Sequence, residues 1–332
     1  MWSAGVMTGN RRRRIAIVGG GIAGMTLAAS LDPRLFEVTL YEAAPQRSGV
    51  GAALGLWPAA QRALRELGAL EALPLPQAPP AGALHIGGRR LLSAAAPGLV
   101  MVQRPALLSA LSAAVPSSVR LAQQEVRDPR VLDADLVVGA DGVRSVVRPL
   151  VDPRAAARRE TPYVALRGTQ GAPPHSRDVG EYWRQGLLFG LVPVGAGAYW
   201  FTSHRSELGP EPLDPTQVAT EAARLAAGAP PVVRDTLARV DQHTLATRIW
   251  VTPPLSRYTR ERYIVIGDAA HASTPNLGRG ACDAILDAAT LARALTRGGA
   301  SARRAWLARR VPPTQAARIA SGGLMRLALN AP

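Results

Sequence analysis

From Ile15 to Val18 the chain is wholly apolar, and it then runs into Gly19-Gly20-Gly21. A run this short and this rich in β-branching predicts a buried strand, not a helix. A helix is predicted over 22–30. Phe36-Glu37-Val38-Thr39-Leu40-Tyr41-Glu42 then alternates with period two, as a second strand does. This β-turn-α-β opening is that of a doubly wound parallel sheet. Pro58 starts a predicted helix to about Leu73, with Leu64 and Leu67 on one face. Pro74, Pro76, Pro79 and Pro80 then break the chain.

Beyond the prolines, short strands are predicted at 84–86, 90–92 and 98–102. A helix at 105–114 and a buried strand at 135–139 follow. Residues 160–255 have a different texture. Alternating apolar segments at 163–168, 187–193, 198–204 and 243–250, interrupted by one helix at 215–227, predict an antiparallel sheet. Tyr263-Ile264-Val265-Ile266 returns to a fully apolar, parallel-type strand. A long helix at 280–295 and one or two closing helices from Gly299 end the chain. The expected fold is α/β: a discontinuous Rossmann-type dinucleotide-binding domain over 1–75, 100–158 and 256–332. A mostly antiparallel β substrate domain, 76–99 and 159–255, is inserted in it, and C-terminal helices close it.

Composition narrows this picture. The 332 residues are 47% hydrophobic, ordinary for a globular chain. The formal charge of +15 invites a nucleic-acid reading. However, lysine is absent and the arginines are spread along the chain instead of massed on one element, so no nucleic-acid partner is expected. A single cysteine, Cys282, excludes an internal disulfide framework or a cysteine-rich metal site. No apolar run reaches the roughly 18 residues of a membrane span. Arg11-Arg12-Arg13-Arg14 resembles a twin-arginine export signal, but the apolar stretch after it is already explained as a strand entering a glycine turn. The expectation is a cytoplasmic protein with a short disordered leader, Met1 to Asn10.

Three motifs carry chemistry. Gly19-Gly20-Gly21-Ile22-Ala23-Gly24 satisfies G-x-G-x-x-G. Gly19 permits the tight turn, Gly21 lets a pyrophosphate approach the backbone, and Gly24 permits close helix–strand packing, with the anion at the helix N-terminus. Glu42, ending the next strand, is placed to accept hydrogen bonds from a ribose. The second motif is Gly267-Asp268-Ala269-Ala270-His271, followed by Thr274-Pro275-Asn276-Leu277-Gly278-Arg279-Gly280-Ala281. Asp268 projects from a strand end, and Gly278 and Gly280 expose backbone N–H groups before a helix, facing an anion or an electron-rich ring. The third is Gly139-Ala140-Asp141-Gly142, continuing through Arg144, Ser145 and Arg148.

In this order and combination, the motifs resemble the class A FAD-dependent aromatic hydroxylases, the para-hydroxybenzoate hydroxylase-like flavoprotein monooxygenases. The wording of the second motif is similar to the salicylate hydroxylase, urate hydroxylase and zeaxanthin epoxidase branch. The resemblance covers essentially the whole chain. It implies that FAD is bound with its pyrophosphate at Gly19, Gly21, Ile22, Ala23 and Gly24 and its ribose at Glu42. It implies that Arg104 and, less directly, Arg47 contact FAD, and that Asp268 binds the flavin's linker or pyrophosphate. Pro275, Gly278, Gly280 and Ala281 match the loop beside the isoalloxazine, and Asp141 matches a segment associated with both FAD and NAD(P)H. The implied activity uses NAD(P)H and O2 to hydroxylate or epoxidise a small aromatic or polyene substrate through a C4a-hydroperoxyflavin, with no metal and no protein nucleophile.

The sequence departs from this pattern in three places. Residues 119–134 leave little room for the family's usual β-meander. Ala59 stands where the family commonly has asparagine. Leu188 occupies about the place of an arginine in the urate branch, which argues against an anionic purine. The trimmed meander keeps an alternative open, a non-hydroxylating FAD-dependent reductase or tailoring enzyme on the same scaffold. His271 invites a catalytic role but reads better as packing and hydrogen-bonding within its motif, Cys282 as a small packing residue, and Asp287 as a helix-surface or locally bonded group. Of Tyr182, Trp183, Tyr199 and Trp200, strand alternation turns about half away from any pocket.

Overall fold

The computed structural model describes residues 11–44, 53–74, 81–95, 97–209 and 211–332. The leader Met1–Asn10 and Arg47 lie outside the described residues. In chain order the strands are β1 Arg13–Val18, β2 Phe36–Glu42, β3 Ala53–Leu56, β4 Ala81–Ile86, β5 Arg89–Ala95, β6 Val100–Gln103, β7 Arg120–Gln123 and β8 Leu136–Gly139. They continue with β9 Arg159–Gln170, β10 Gly180–Arg184, β11 Leu187–Val194, β12 Gly197–Arg205, β13 Leu245–Val251, β14 Thr259–Arg260 and β15 Tyr263–Val265. The helices are α1 Ile22–Ser30, α2 Pro58–Glu66, α3 Arg104–Ala114, α4 Arg148–Val151, α5 Pro215–Leu225, α6 Pro231–Leu237, α7 Asp268–His271, α8 Gly280–Arg297 and α9 Gly299–Leu329.

A six-stranded sheet has the order β14-β15-β8-β1-β2-β7, with every pair parallel except the edge pair β14–β15. Its central strands are buried on both faces, as the unbroken apolar runs at 15–18 and 136–138 require. The order reverses between β1 and β8. In an open sheet of this kind the binding crevice lies outside the carboxyl ends of the two strands where the order reverses. α1 and α8 cover one part of this sheet, and Ala23, Leu27, Ala284, Ala288 and Leu291 join β1 and β8 in one core.

A seven-stranded sheet, order β13-β9-β12-β11-β10-β4-β5, is antiparallel except for the β10–β4 pair. Alternation along its strands divides two faces. Val164, Leu166, Tyr182, Leu187, Phe189, Leu191 and Trp200 point outward into a core with Val218, Ala222 and Val233 of α5 and α6. Tyr163, Ala165, Trp183, Leu188, Tyr199 and Phe201 point to the opposite, inner face. Thus Trp183 and Tyr199 look inward, whereas Tyr182 and Trp200 lie under the outer helices. β3 and β6 form a separate antiparallel ribbon.

Several predicted boundaries shift. α2 ends at Glu66, where Gly68 at φ 69° terminates the turn before the predicted Leu73. β10 and α6 were not anticipated by the pattern, because β10 is only five residues and α6 opens on consecutive prolines. In the short stretch before β8, a single strand, β7, pairs parallel with β2. α9 passes through Pro312 and Pro313. Neither proline can donate to the helix ladder, and the Thr314 hydroxyl bonds back to the Arg310 carbonyl at 2.6 Å.

Candidate active site

The three glycine-bearing motifs meet at the carboxyl edge of the parallel sheet. Gly19 leaves β1 at φ 102°, and a Cβ there would lie 2.5 Å from the Ala140 carbonyl oxygen, at the end of β8. A Cβ on Gly24 would sit 1.9 Å from the Gly19 carbonyl oxygen, so only glycine lets α1 enter the turn. Gly267, after β15, packs against Ala23 of α1 and Ala284 of α8, its built Cβ 3.1 and 3.3 Å from their methyl groups. The ends of β1, β8 and β15 are thereby fixed against one another.

Gly21, by contrast, faces open space, and so do Gly142 and Gly278. Gly21 precedes α1 without a side-chain cap, which leaves the amides of Ile22, Ala23 and Gly24 at the positive end of the helix. A second uncapped N-terminus, that of α8, begins at exposed Gly280, next to half-buried Ala281, with exposed Pro275 and Gly278 in the loop before it. Gly278 takes a left-handed conformation (φ 57°). The exposed Asp268 side chain lies beside this terminus, its Oδ1 4.0 Å from a Cβ built on Gly280. Two glycine-lined helix ends, each with free backbone donors, therefore open onto one crevice.

Glu42 ends β2 half-buried, and its two oxygens are oriented by the backbone N–H of Gly20 at 2.8 Å and of Ala44 at 2.7 Å. A carboxylate offers about four acceptor sites, so this arrangement fixes the group and leaves acceptor capacity for hydroxyls. Asp141 holds the turn after β8 by accepting from Val146 N at 2.8 Å, while its Oδ1 is buried without a partner among the described residues. Burial raises its carboxyl pKa, against the opposing hydrogen bonds from Ser145 and from backbone amides. Arg104 opens α3, half-buried, on the helix that packs against α1.

Behind the loop lies a charged cluster that sequence pattern alone had not revealed. Asp287, read as a helix-surface or locally bonded group, is fully buried and bonds partners distant in sequence. One oxygen accepts from His271 Nε2 at 2.7 Å and Gly267 N at 3.0 Å, and the other from Arg310 Nε at 2.6 Å. Arg310 also bonds Asp283 at 3.0 Å, and Arg279 reaches the same carboxylate at 3.2 Å. Burial alone would lower the imidazole pKa of His271, but the Asp287 carboxylate outweighs it and holds the pKa up. Burial likewise opposes ionisation of Asp287, yet His271 and Arg310 keep its pKa below the usual carboxylate range. His271 is thus a structural ion-pair partner. Arg310 gave no signal because it sits in an arginine-rich helix among solvent-facing neighbours. Cys282 also packs: its thiol bonds the Gly55 carbonyl at 3.2 Å and lies 3.3 Å from Trp57 N, and burial pushes its pKa up.

Two surface clefts lie elsewhere. One of about 500 Å3 is lined by Val151–Arg154 with Ser256, Arg257 and Arg260, and another of about 320 Å3 by Val143, Arg144, Ser145, Ala156 and Arg158. Neither is formed by the two helix ends. Among the described residues no group of histidine, cysteine and carboxylate side chains is placed to hold a metal ion. None of the helices among the described residues is long and apolar enough to cross a membrane.

Comparison with known proteins agrees with this geometry. A family model described as "FAD binding domain" matches residues 112–308, and one described as "NAD(P)-binding Rossmann-like domain" matches residues 17–53. The chain is 30% identical over 316 residues to the aurachin C monooxygenase/isomerase of Stigmatella aurantiaca, covering 85% of this chain and 80% of that one. It is 31% identical over 317 residues to the 3-amino-4-hydroxybenzoate 2-monooxygenase of Streptomyces cremeus, covering 85% and 78%. The crystal structure of Klebsiella pneumoniae HpxO complexed with FAD and uric acid shares the fold, with a TM-score of 0.83, 24% identity, and coverage of 96% and 89%. The chain belongs to the FAD binding domain family, within the class A flavoprotein monooxygenases. It is an FAD-dependent oxidoreductase.

Proposed function

We propose that this monooxygenase uses NAD(P)H and O2 to hydroxylate a small aromatic substrate, and that its FAD lies across the crevice between the two uncapped helix ends. The observation that carries the reading is the pair of glycine cradles at Gly21 and at Gly278–Gly280, open to a ligand while the neighbouring glycines are packed shut. Bound FAD supplies the redox chemistry that links a reduced nicotinamide, dioxygen and the substrate.

The chain's own residues bind and orient. In this reading the amides of Ile22, Ala23 and Gly24 hold the pyrophosphate at the positive end of α1. Glu42, fixed by two backbone amides, accepts from the adenosine ribose. Asp268 accepts from the linker side, and Arg104 and Arg47 supply positive charge to the cofactor. The Pro275–Ala281 loop turns the dipole of α8 toward the ring, where it favours the electron-rich, reduced form. Asp141, with an unpaired buried oxygen, lines the entrance after β8. The ribbon β3–β6 and the inner face of the large sheet exclude water from the substrate side. The cofactor-binding part comprises 1–75, 100–158 and 256–332, and the substrate part 76–99 and 159–255. A cytoplasmic location suits a partner such as NAD(P)H.

The test is NAD(P)H consumption across a panel of aromatic substrates under 18O2, with products read by mass spectrometry. One labelled oxygen per product is expected. Substrate turnover that continues without oxygen would refute the monooxygenase reading and favour a reductase on the same scaffold.

A further inference from the structure

The cleft of about 500 Å3 lies between two short segments, 151–154 and 256–260, and both are held from behind. In the first, Val151 and Ala155 are buried and the Asp152 backbone N–H donates to the Arg148 carbonyl at 3.0 Å. In the second, Leu255 and Tyr258 are buried, which turns Ser256, Arg257 and Arg260 to the surface. The Tyr258 hydroxyl bonds Thr314 and accepts from Gln315 Nε2 at 2.9 Å, and its carbonyl accepts from Val265 N at 2.9 Å. The buried Arg148 guanidinium fastens the two segments together, donating to the Ala155 carbonyl at 2.6 Å and to that of Pro253. The walls are thereby set before any ligand arrives.

The tripeptide Asp-Pro-Arg occurs at 32–34, 128–130 and 152–154. In all three the arginine backbone N–H donates to the aspartate Oδ1, at 2.9, 3.0 and 3.0 Å. In the first two the guanidinium also folds back onto that carboxylate, Nε to Oδ1 at 3.0 and 2.8 Å. Arg154 departs from this habit. Its side chain lines the cleft and, among the described residues, makes no ion pair, nor does that of Arg257. Arg260 approaches Glu261 only to 3.9 Å, with the side chains 47% and 73% exposed, a contact of little energy. Three arginines against the one carboxylate of Asp152 leave the lining with a net charge of +2. The smaller cleft differs, because its arginines are already engaged: Arg144 pairs with Glu211 at 2.9 Å, and Arg158 stacks 3.6 Å from the centre of the Trp250 ring.

We propose that this cleft binds a phosphomonoester or free phosphate, held by Arg154 from one wall and by Arg257 and Arg260 from the other, with the Ser256 hydroxyl as a further donor. Such a group carries a charge of about −1.5 to −2 near neutral pH and three acceptor oxygens, which answers the net charge of the lining. Guanidinium forks pair with phosphate oxygens two at a time. A carboxylate brings one charge and one planar edge, and leaves the second positive charge unanswered. The space suits a small molecule. Two sources carry the group: free inorganic phosphate, and the 2′-phosphate of NADPH, which NADH lacks. None of the cleft's residues belongs to the proposed FAD crevice, so the site does not depend on the cofactor reading.

The test is calorimetric titration of the FAD-loaded enzyme at low salt with inorganic phosphate and, separately, with acetate. Phosphate should bind at least about tenfold more tightly than acetate, as paired charge-assisted bonds require. Arg154→Ser and Arg257→Ser should each keep their flavin and weaken phosphate about five- to tenfold, the loss of one charged hydrogen-bonding group. Arg34→Ser, which removes a guanidinium already bonded to Asp32, should leave phosphate binding as in the wild type. Competition then separates the sources. NADP+ that displaces phosphate at least about tenfold better than NAD+ assigns the site to the cosubstrate's 2′-phosphate, and equal displacement by the two assigns it to free phosphate. Phosphate that binds the wild-type enzyme no better than acetate overturns the proposal, and so does phosphate affinity unchanged in both Arg154→Ser and Arg257→Ser.

Discussion

His271 and Asp287 form a fully buried ion pair, Nε2 to Oδ2 at 2.7 Å, and the same carboxylate oxygen accepts the backbone N–H of Gly267. The turn that presents Asp268 is therefore anchored to α8 through one charged side chain, and Arg310 ties α9 to its other oxygen. Asp287→Ala would leave the buried His271 imidazole without its acceptor and the Arg310 guanidinium with Asp283 alone. A loss of about 3–5 kcal/mol is expected on urea unfolding, as for other broken buried pairs, with FAD content falling alongside.

The same pair sets a pH dependence. The folded pKa of His271 lies above its unfolded value, so its contribution is complete below the unfolded imidazole pKa, about 6.5. That contribution is lost as pH rises through the folded value. The folded pKa of Asp287 is depressed, so its contribution is present above the ordinary carboxylate range and fades as pH falls through the folded value. Stability should therefore decline on both sides of a plateau. In His271→Asn the alkaline decline should flatten; an unchanged alkaline limb in urea melts across that range would count against the ion-pair assignment.

Gly21 and Gly24 separate binding from folding within one motif. A side chain at Gly21 meets no protein atom, whereas one at Gly24 meets the Gly19 carbonyl at 1.9 Å. Gly21→Val should therefore fold with the Tm of the FAD-free wild type and bind little FAD. Gly24→Ala should lose stability in the FAD-free state itself, by about 1–3 kcal/mol for a forced overlap. Asp268→Ala, on an exposed side chain, should behave like Gly21→Val. Full flavin occupancy in both purified variants would refute the proposed cofactor site.

That contrast also shows how far the sequence could be read. The period-two and fully apolar runs at 15–18, 36–42 and 263–266 mark strands that cannot bury themselves any other way, and β1, β2 and β15 stand there. The glycine spacing points to the crevice because each glycine answers a local steric demand. What local pattern cannot carry is partnership over distance. Asp287 and Arg310 are 23 residues apart and meet only because α9 folds back on α8. Glu181 and Arg167 share one row of the large sheet only through three strand registers, none of which alternation within one strand specifies.

Cys282 should be chemically quiet. Its thiol is buried, bonded to the Gly55 carbonyl, and its pKa is raised by burial, so little thiolate forms near neutral pH. Native enzyme should react with a disulfide reagent far more slowly than unfolded enzyme does. Cys282→Ser, which keeps a donor for Gly55, should retain flavin and cost less stability than Cys282→Ala. Rapid labelling of the native protein would contradict the packing described here.

Arg148 is the other buried anchor of the loop, and its partners are all carbonyls. Nε donates to Ala155 at 2.6 Å, one terminal nitrogen to Ala269 and Ala270 at 2.8 and 2.9 Å, and the other to Pro253. Arg148, whose backbone N–H donates to Ser145 Oγ at 3.0 Å, thus ties α4 to the backbone of α7, directly after Asp268. Burial lowers its pKa to about 10, still far enough above neutrality for the side chain to stay charged. Lysine cannot reproduce a planar fork serving four carbonyls, and methionine leaves all four unsatisfied. Each buried orphan costs about 1–3 kcal/mol. Arg148→Met should therefore be more destabilising than Arg148→Lys, and both should loosen FAD in proportion, because two of the four carbonyls released, those of Ala269 and Ala270, belong to the helix that Asp268 begins. Thermal melts paired with flavin release by fluorescence test this ordering, and an Arg148→Met enzyme as stable as wild type would overturn it.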